Sequence, residues 1–240
     1  MSDGNRIAVA MSGGVDSSVA AVLLREAGHD TFGLMLRLQD GGDGQPNRCC
    51  APSDVAAARS VAASLGIPFY VVDARQEFED HVISSFVGGY AQGLTPNPCI
   101  ECNRVIRFGL LLHHALALGA TLLATGHYAR IAHEGTSHRL LVARDQAKDQ
   151  SYVLHILTQH QLAHALFPLG ELRKTEVRNH ARRMQLPVAD RPESQDLCFV
   201  QGDYRTFLAA RGVGDAPGPI LDGEGRILGT HSGLAGYTLG

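Results

Sequence analysis

Short apolar runs alternate with longer amphipathic ones along the first half of the chain, and this alternation limits the fold more than any other feature. Ile7 to Ala10 precedes Ser17 to Ala27, Thr31 to Leu38 precedes Ser53 to Leu65, and Phe69 to Val72 precedes Phe78 to Tyr90. Brief apolar runs bounded by polar turns read as strands buried on both faces, and the longer segments read as helices. Strand, helix and strand in succession predict an α/β fold, a parallel sheet with helices on both faces. After a Pro-rich loop at Thr95 to Pro98, a helix is expected from about Ile100 to Leu118 and a strand from Thr121 to Thr125. Ligands of such sheets gather beyond the carboxyl ends of the strands. The loop after Ala10, the stretch after Leu38 and "TGHYAR" all fall there.

The later chain is less regular. Ala129 to Arg144 reads as a hairpin turning at Glu134, Gly135 and Thr136, and Lys174 to Met184 as a basic helix. A short helix, Tyr204 to Arg211, is followed by a segment in which Asp222-Gly223 predicts a tight turn between two strands. The last residues break off in a strand-like pattern. The expected division is a nucleotide-binding and catalytic domain over 1–202 and the start of a small β-rich domain over 203–240. With 240 residues, two large domains would be crowded. At 45% hydrophobic and 19% charged residues the composition is that of a soluble protein. No apolar run is long enough to cross a bilayer, and the N-terminus lacks a secretory pattern, so a cytoplasmic protein is expected. The net charge of −3 gives no general support for nucleic-acid binding, which must rest on a local basic surface.

"AMSGGVDSSV" supplies the first chemistry. A glycine-rich turn between a strand and a helix offers backbone N–H groups and the positive end of the helix dipole, so phosphate is its natural guest. A Walker A loop would need a lysine before the Ser or Thr, and this loop has none. A tight turn with capping serines is the plain alternative.

Five cysteines, an odd number, suit catalytic or metal-bound thiols better than a disulfide scaffold. "TPNPCIECNRVIRF" sets Cys99 and Cys102 at CxxC spacing on the approach to a helix, where the dipole and Arg104 should favour the thiolate. Cys198 lies in the distant loop "PESQDLCF". A four-ligand zinc site would have to recruit Cys49 and Cys50, which are sequence neighbours and awkward for one metal. "DGGDGQPNRCC" reads as a mobile loop, and its cysteines as loop thiols. His160 and His164 have a helical i, i+4 spacing without the glutamate of a metalloprotease, and read as polar positions on a solvated helix. His127 is a nucleotide contact or a partner for a backbone group. Arg173, Lys174, Arg178, Arg182 and Arg183 stand against the single acid Glu176, a solvated face with phosphate contact as the sharper reading.

Ser12 to Ser17 resembles the SGGxDS signature of PP-loop ATP pyrophosphatases, the adenine nucleotide alpha hydrolase-like class. Together with "CC" before "SDVAAAR", "ATGHYAR", "KDQSYVL", a Cys-Phe pair after Ser-Gln-Asp, and "HSGLAGYTLG", the chain resembles the tRNA-specific 2-thiouridylases of the CxxC type. That resemblance implies an ATP- and magnesium-dependent sulfurtransferase that thiolates C2 of the wobble uridine of tRNA. It places the ATP phosphates on Ala10, Met11, Ser12, Gly13, Gly14, Val15, Asp16 and Ser17, with Asp16 helping to position magnesium. Met35 and Gly126 would contact the nucleotide. Cys198 would carry a persulfide received from a sulfur-relay protein, and Cys102 would release that sulfur and pair with Cys198 in a disulfide afterwards. Asn97, Pro98 and Cys99 would face the target base, and Lys148, Asp149 and Gln150 would contact the tRNA.

Many members of the family have aspartate where this chain has Cys99, and many continue through a central domain into a β-barrel. The extra thiol opens another route, a 4Fe-4S cluster on Cys99, Cys102 and Cys198 with one iron open to sulfide. A PP-loop amide ligase has no use for the spaced thiols. A non-catalytic nucleotide or tRNA binder is the remaining alternative.

Overall fold

The computed structural model describes residues 6–39, 52–191, 197–200, 202–214 and 216–237. Its centre is a five-stranded, wholly parallel sheet. The strands are β1 (Ile7–Ala10), β2 (Thr31–Arg37), β3 (Phe69–Asp73), β4 (Leu122–Ala124) and, at the far edge, β7 (Ala165–Leu166). In space they run β3, β2, β1, β4 and then the edge strand. β1 is the pivot, with Ile7 in register with Thr31 on one side and Leu122 on the other.

The period of two in a strand sorts the core into two layers. Ala8 of β1, Phe32, Leu34 and Leu36 of β2, and Leu123 of β4 face one layer. Ile7 and Val9, Met35 and Ala124 face the other. The first layer is covered by α3 (residues 75–91) and α4 (residues 98–117). The second is covered by α1 (Val15–Glu26), α2 (Pro52–Ser64) and α6 (Lys174–Arg183). Complete burial of Phe32 and Leu34 contributes roughly 1.5–3 kcal/mol for each side chain.

The expected helices over 78–90 and 100–118 are present, but neither is regular. In α3 the stretch Phe78–Ile83 is π-helical, and in α4 the stretch Cys102–Leu111 is π-helical. A helix between them in sequence and the edge strand, α5 (Gln159–Ala163), opens on a capping box made by Thr158 and Gln161. β5 (Arg130–Glu134) and β6 (Ser137–Leu141) form the expected hairpin.

Beyond residue 203, α7 (Tyr204–Ala209) packs on α3, with Phe207 edge-on to Phe86 at 6.3 Å and tilted on Phe199 at 5.3 Å. β8 (Gly218–Leu221) and β9 (Ile227–His231) make a second antiparallel hairpin. Its turn differs from the tight Asp222-Gly223 turn expected from sequence. The Asp222 carboxylate accepts the backbone N–H groups of Glu224 and Arg226, each at 2.9 Å, and Gly225 carries the positive φ of 83°. Of the strand-like pattern after His231, the described part, to Tyr237, holds a 3-10 turn at Leu234–Gly236. No helix among the described residues is long and apolar enough to cross a membrane.

Candidate active site

A cleft of about 480 Å³ opens at the carboxyl ends of β1, β2 and β4. Every residue of Ala10–Ser17 except Gly13 lines it, as do Met35 and Gly126. Gly14 is the cap residue of α1 and has no side chain to cap the helix, and the serines do not take over that task. Ser12 and Ser17 hydroxyls meet at 3.1 Å, and Ser18 donates to the Gly14 carbonyl at 2.8 Å. Ser17 Oγ instead accepts the Ser12 backbone N–H at 3.1 Å, so the serines brace the turn while the N-terminus of α1 keeps no side-chain cap, the arrangement that suits an anion.

Two glycines make this loop fit. Gly13 has a φ of 74°, and a Cβ there would lie 2.5 Å from the Asp54 carbonyl oxygen of α2. A Cβ on Gly126 would lie 2.7 Å from the Ser17 nitrogen. Gly126 thus lets the end of β4 press directly on the start of α1.

The lysine missing from the loop arrives from far along the chain. Lys174, the first residue of α6, places Nζ 2.7 Å from both carboxylate oxygens of Asp16, and the Tyr128 hydroxyl donates to the same carboxylate at 2.9 Å. Lys174 is only 12% exposed in its side chain, so it packs with the glycine loop and not on a solvated basic face. Farther along α6, Arg182 and Arg183 do lie at the surface, paired with Asp190 and Glu26. Arg191 makes a second long-range tie, donating to the Gly13 carbonyl at 2.7 Å and to Asp54 at 2.9 Å.

The thiols lie on the other part of the same cleft. Cys99, Cys102 and Cys198 all line it, the first exposed, the second buried and the third half-buried. The two remote cysteine segments therefore meet at one cavity. Cys99 stands at the start of α4, where Pro98 occupies the first turn and Asn97 is the cap, its side-chain oxygen accepting the Cys99 N–H at 3.0 Å. Pro98 lines the cleft, while Asn97 does so only indirectly, through that cap. Arg104 does not assist the thiols as expected from sequence, because its guanidinium is bound to Glu101 in an exposed ion pair. The guanidinium that does reach the cleft from α4 is that of Arg107.

Behind Arg107 lies a buried polar chain. Arg107 contacts the Asn103 side-chain oxygen and His127 Nε2, each at 3.3 Å, and His127 Nδ1 is 2.7 Å from the Thr125 hydroxyl. A guanidinium can only donate, so Nε2 is the acceptor and the proton sits on Nδ1, directed at Thr125. Burial, reinforced by the Arg107 charge, lowers the His127 pKa to about 3 and keeps the ring neutral.

Lys148 and Gln150 also line the cleft. Gln150 accepts the Tyr128 N–H at 3.0 Å, and both Asp149 oxygens are engaged internally, with the Ala143 N–H at 2.7 Å and the Ser151 hydroxyl at 2.6 Å. His160 is exposed and His164 half-buried, and His164 Nδ1 lies 2.9 Å from the His160 carbonyl. Cys49, Cys50 and the Ser-Gln-Asp segment at 194–196 lie outside the described residues.

The donor sets for the expected metals differ in fit. Asp16 is a carboxylate of the type that holds magnesium beside substrate phosphates, and here both of its oxygens are engaged by Lys174. Among the described residues no three His, Cys, Asp or Glu side chains converge closely enough to hold a metal ion. Cys99, Cys102 and Cys198 share a cavity, yet do not form an assembled set of cluster ligands. Tyr128, Lys174, Arg191 and Arg107 are site residues that sequence reasoning did not single out for this role. Tyr128 and Arg107 had a signal, their places in "ATGHYAR" just past β4 and in "TPNPCIECNRVIRF".

A parallel sheet with a glycine loop after its central strand, a carboxylate at the helix start and thiols across the cleft define a nucleotide-binding domain with sulfur chemistry within reach. The family described as "tRNA methyl transferase HUP domain" matches residues 5–202. A tRNA-specific 2-thiouridylase MnmA of Chloroflexus aggregans is 52% identical over 239 residues, covering 98% of this chain and 67% of that protein. Its counterpart in Roseiflexus sp. is 50% identical over 257 residues, covering 98% and 69%. The chain belongs to the tRNA-specific 2-thiouridylase family. Among solved structures, an NMN synthetase of Francisella tularensis shares the fold, with a TM-score of 0.50 at 20% identity over 80% of this chain and 66% of that one.

Proposed function

We propose that the chain is an ATP-dependent tRNA-uridine 2-sulfurtransferase that transfers sulfur from a cysteine persulfide to C2 of the wobble uridine. The observation that carries this reading is the single cleft shared by the glycine loop and by Cys102 and Cys198. The curated relatives, named for tRNA 2-thiolation, support the substrate.

In this reading the α1 N-terminus, Gly126 and Met35 hold ATP, and the uridine leaves its stack to enter the cleft beside Pro98 and Cys99. Asp16 would hold magnesium, which neutralises phosphate charge when it is bound with ATP. The uridine O2 attacks the α-phosphorus, the bond to the β-phosphate oxygen breaks, and pyrophosphate leaves. The terminal sulfur of a Cys198 persulfide then attacks C2 and expels AMP. Cys102 as thiolate attacks the Cys198 sulfur, breaking the S–S bond and releasing 2-thiouridine. The two cysteines are thereby oxidised to a disulfide as the transferred sulfur is reduced, and an external thiol reductant restores them. A sulfur-relay protein supplies the persulfide.

The test is to incubate the anaerobic protein with ATP, magnesium, a persulfide donor and unmodified tRNA, and to look for 2-thiouridine by mass spectrometry. Cys198→Ser should abolish thiouridine while tRNA-dependent release of pyrophosphate continues. Full thiolation by that variant refutes the role given to Cys198.

A further inference from the structure

We propose that His133 and His138 form a surface site for a divalent late transition metal of the Ni2+ or Cu2+ type, each imidazole binding through Nδ1. Neither residue lines the cleft, and the site is independent of the thiolation reading.

The first support is the register of the hairpin. Glu134 pairs with Ser137 across the turn at Gly135 and Thr136, and the next pair along the ladder is His133 with His138. Opposed residues of an antiparallel ladder alternate between hydrogen-bonded and non-hydrogen-bonded pairs, and side chains of the second kind lie closer together. His138 is of the second kind, because its backbone polar groups turn away from β5 to the side chain of Gln159 on α5. The His138 N–H donates to Gln159 Oε1 at 2.8 Å, and its carbonyl accepts from Gln159 Nε2 at 2.9 Å. Gln159 thus clasps this strand position to a helix and fixes where the His138 ring starts.

The second support is the approach of the rings. Their centroids are 4.9 Å apart, their planes stand at 84°, and the two Nδ1 atoms are 2.8 Å apart. A neutral imidazole has one donor and one acceptor nitrogen, so one ring carries its proton on Nδ1 and the other on Nε2. A metal ion takes the place of the shared proton. The donor ring moves its proton to Nε2, both Nδ1 lone pairs turn to the ion, and the neutral pair releases no net proton. At metal–nitrogen distances of about 2.0–2.1 Å, ligands at right angles are about 2.8–3.0 Å apart and tetrahedral ones about 3.3–3.4 Å. The observed spacing fits the right-angled arrangement, which Cu2+ and Ni2+ adopt.

The surroundings define an open site. His133 is exposed and His138 half-buried, so an ion enters from solvent and water completes its coordination. The period of two in a strand turns Glu134 to the opposite face, where Arg139 donates to it at 2.6 Å. No carboxylate is left to make a closed site, in keeping with the lack of any three-ligand group among the described residues. His160 and His164 are the rival pair, with ring centroids 4.7 Å apart. In that pair His164 Nδ1 is already committed to the His160 carbonyl at 2.9 Å.

The test titrates nickel chloride into the full chain, with its cysteines replaced by serine so that thiols do not compete, at about pH 7.5, where the imidazoles are neutral. Calorimetry should show one saturable site. His133→Ala and His138→Ala should each weaken it at least about tenfold, since even the groups behind a metal ligand are worth about 10–100-fold in affinity. His160→Ala should leave it unchanged. In the protein with its natural cysteines, substoichiometric Ni2+ should broaden the ring NMR signals of His133 and His138 before those of His160 and His164. The proposal is overturned by an unchanged affinity in the His133 and His138 variants, by an equal loss in His160→Ala, or by broadening that begins at His160 and His164. Neither ATP nor tRNA takes part, so failure of the thiolation reading leaves this outcome distinct.

Discussion

Replacement of Gly13 by alanine offers a quantitative test of how the nucleotide loop is held. Gly13 has a φ of 74°, and its ideal Cβ would approach the Asp54 carbonyl oxygen to 2.5 Å, with the Asp54 Cα at 3.0 Å. An L-residue in that left-handed region costs about 1–2 kcal/mol. Forcing a methyl group against the backbone of a packed helix adds about 1–3 kcal/mol. The sum is about 2–5 kcal/mol, or a Tm lowered by roughly 4–20 °C in a chain of this size. Gly28 supplies the internal control, because its φ is 84° and a Cβ there meets nothing within 4 Å. Gly28→Ala should therefore show only the conformational cost of about 1–2 kcal/mol. Urea denaturation of both variants, followed by circular dichroism, separates the two contributions. ATP titration of the folded Gly13→Ala protein should also show weakened binding, since relief of the contact moves the loop. Equal losses of stability in the two variants would refute the claim that the loop is braced against α2.

Further expectations concern the charged parts of the site. His127 is held neutral, with its pKa lowered to about 3 from 6.5 chiefly by burial. Between those pH values the unfolded chain binds a proton that the folded one does not, so stability falls on acidification by up to about 1.4 kcal/mol per pH unit. His127→Asn should narrow the stability gap to the natural protein by about 2 kcal/mol on going from pH 7 to pH 5, measured by urea midpoints, and parallel curves would refute the buried neutral ring. Lys174→Met leaves Asp16 without its 2.7 Å partner and should lower stability by about 1–2 kcal/mol. Because the lysine is largely buried, most of that loss should persist in 1 M salt, and its disappearance there would make the pair an ordinary surface contact.

The parts of this molecule that were legible in its sequence are those set by local pattern. β1 starts and ends where its apolar run does, and the hairpin of β5 and β6 turns at Glu134 to Thr136, because short-range periodicity and turn residues determine both. The edge strand Ala165–Leu166 has only two residues and gives no period to detect. The π-helical stretches keep helix-like composition, so their extra residue per turn is invisible until the backbone is traced. Asp222-Gly223 failed as a turn signal because the Asp222 side chain organises a longer loop and shifts the left-handed residue to Gly225. In the site, the glycine loop and the three thiols stood out by residue type alone. Lys174 was legible only as one of five basic residues open to phosphate contact, not as the partner of Asp16, which lies 158 positions away. The loss of Arg104 to Glu101 was not legible, being a competition between two adjacent groups that spacing cannot decide.

The central position of β1 has a bearing on how the protein is made. Its two flanking strands are not equivalent in time: Thr31 of β2 follows Ile7 closely, whereas Leu122 of β4 emerges from the ribosome much later. At a synthesis speed of about 5–20 residues per second, one edge of the first strand waits roughly 6–23 seconds for its neighbour. Until then Gly126 has not arrived to seat against α1, and the nascent chain has an open strand edge that chaperones or other chains can engage.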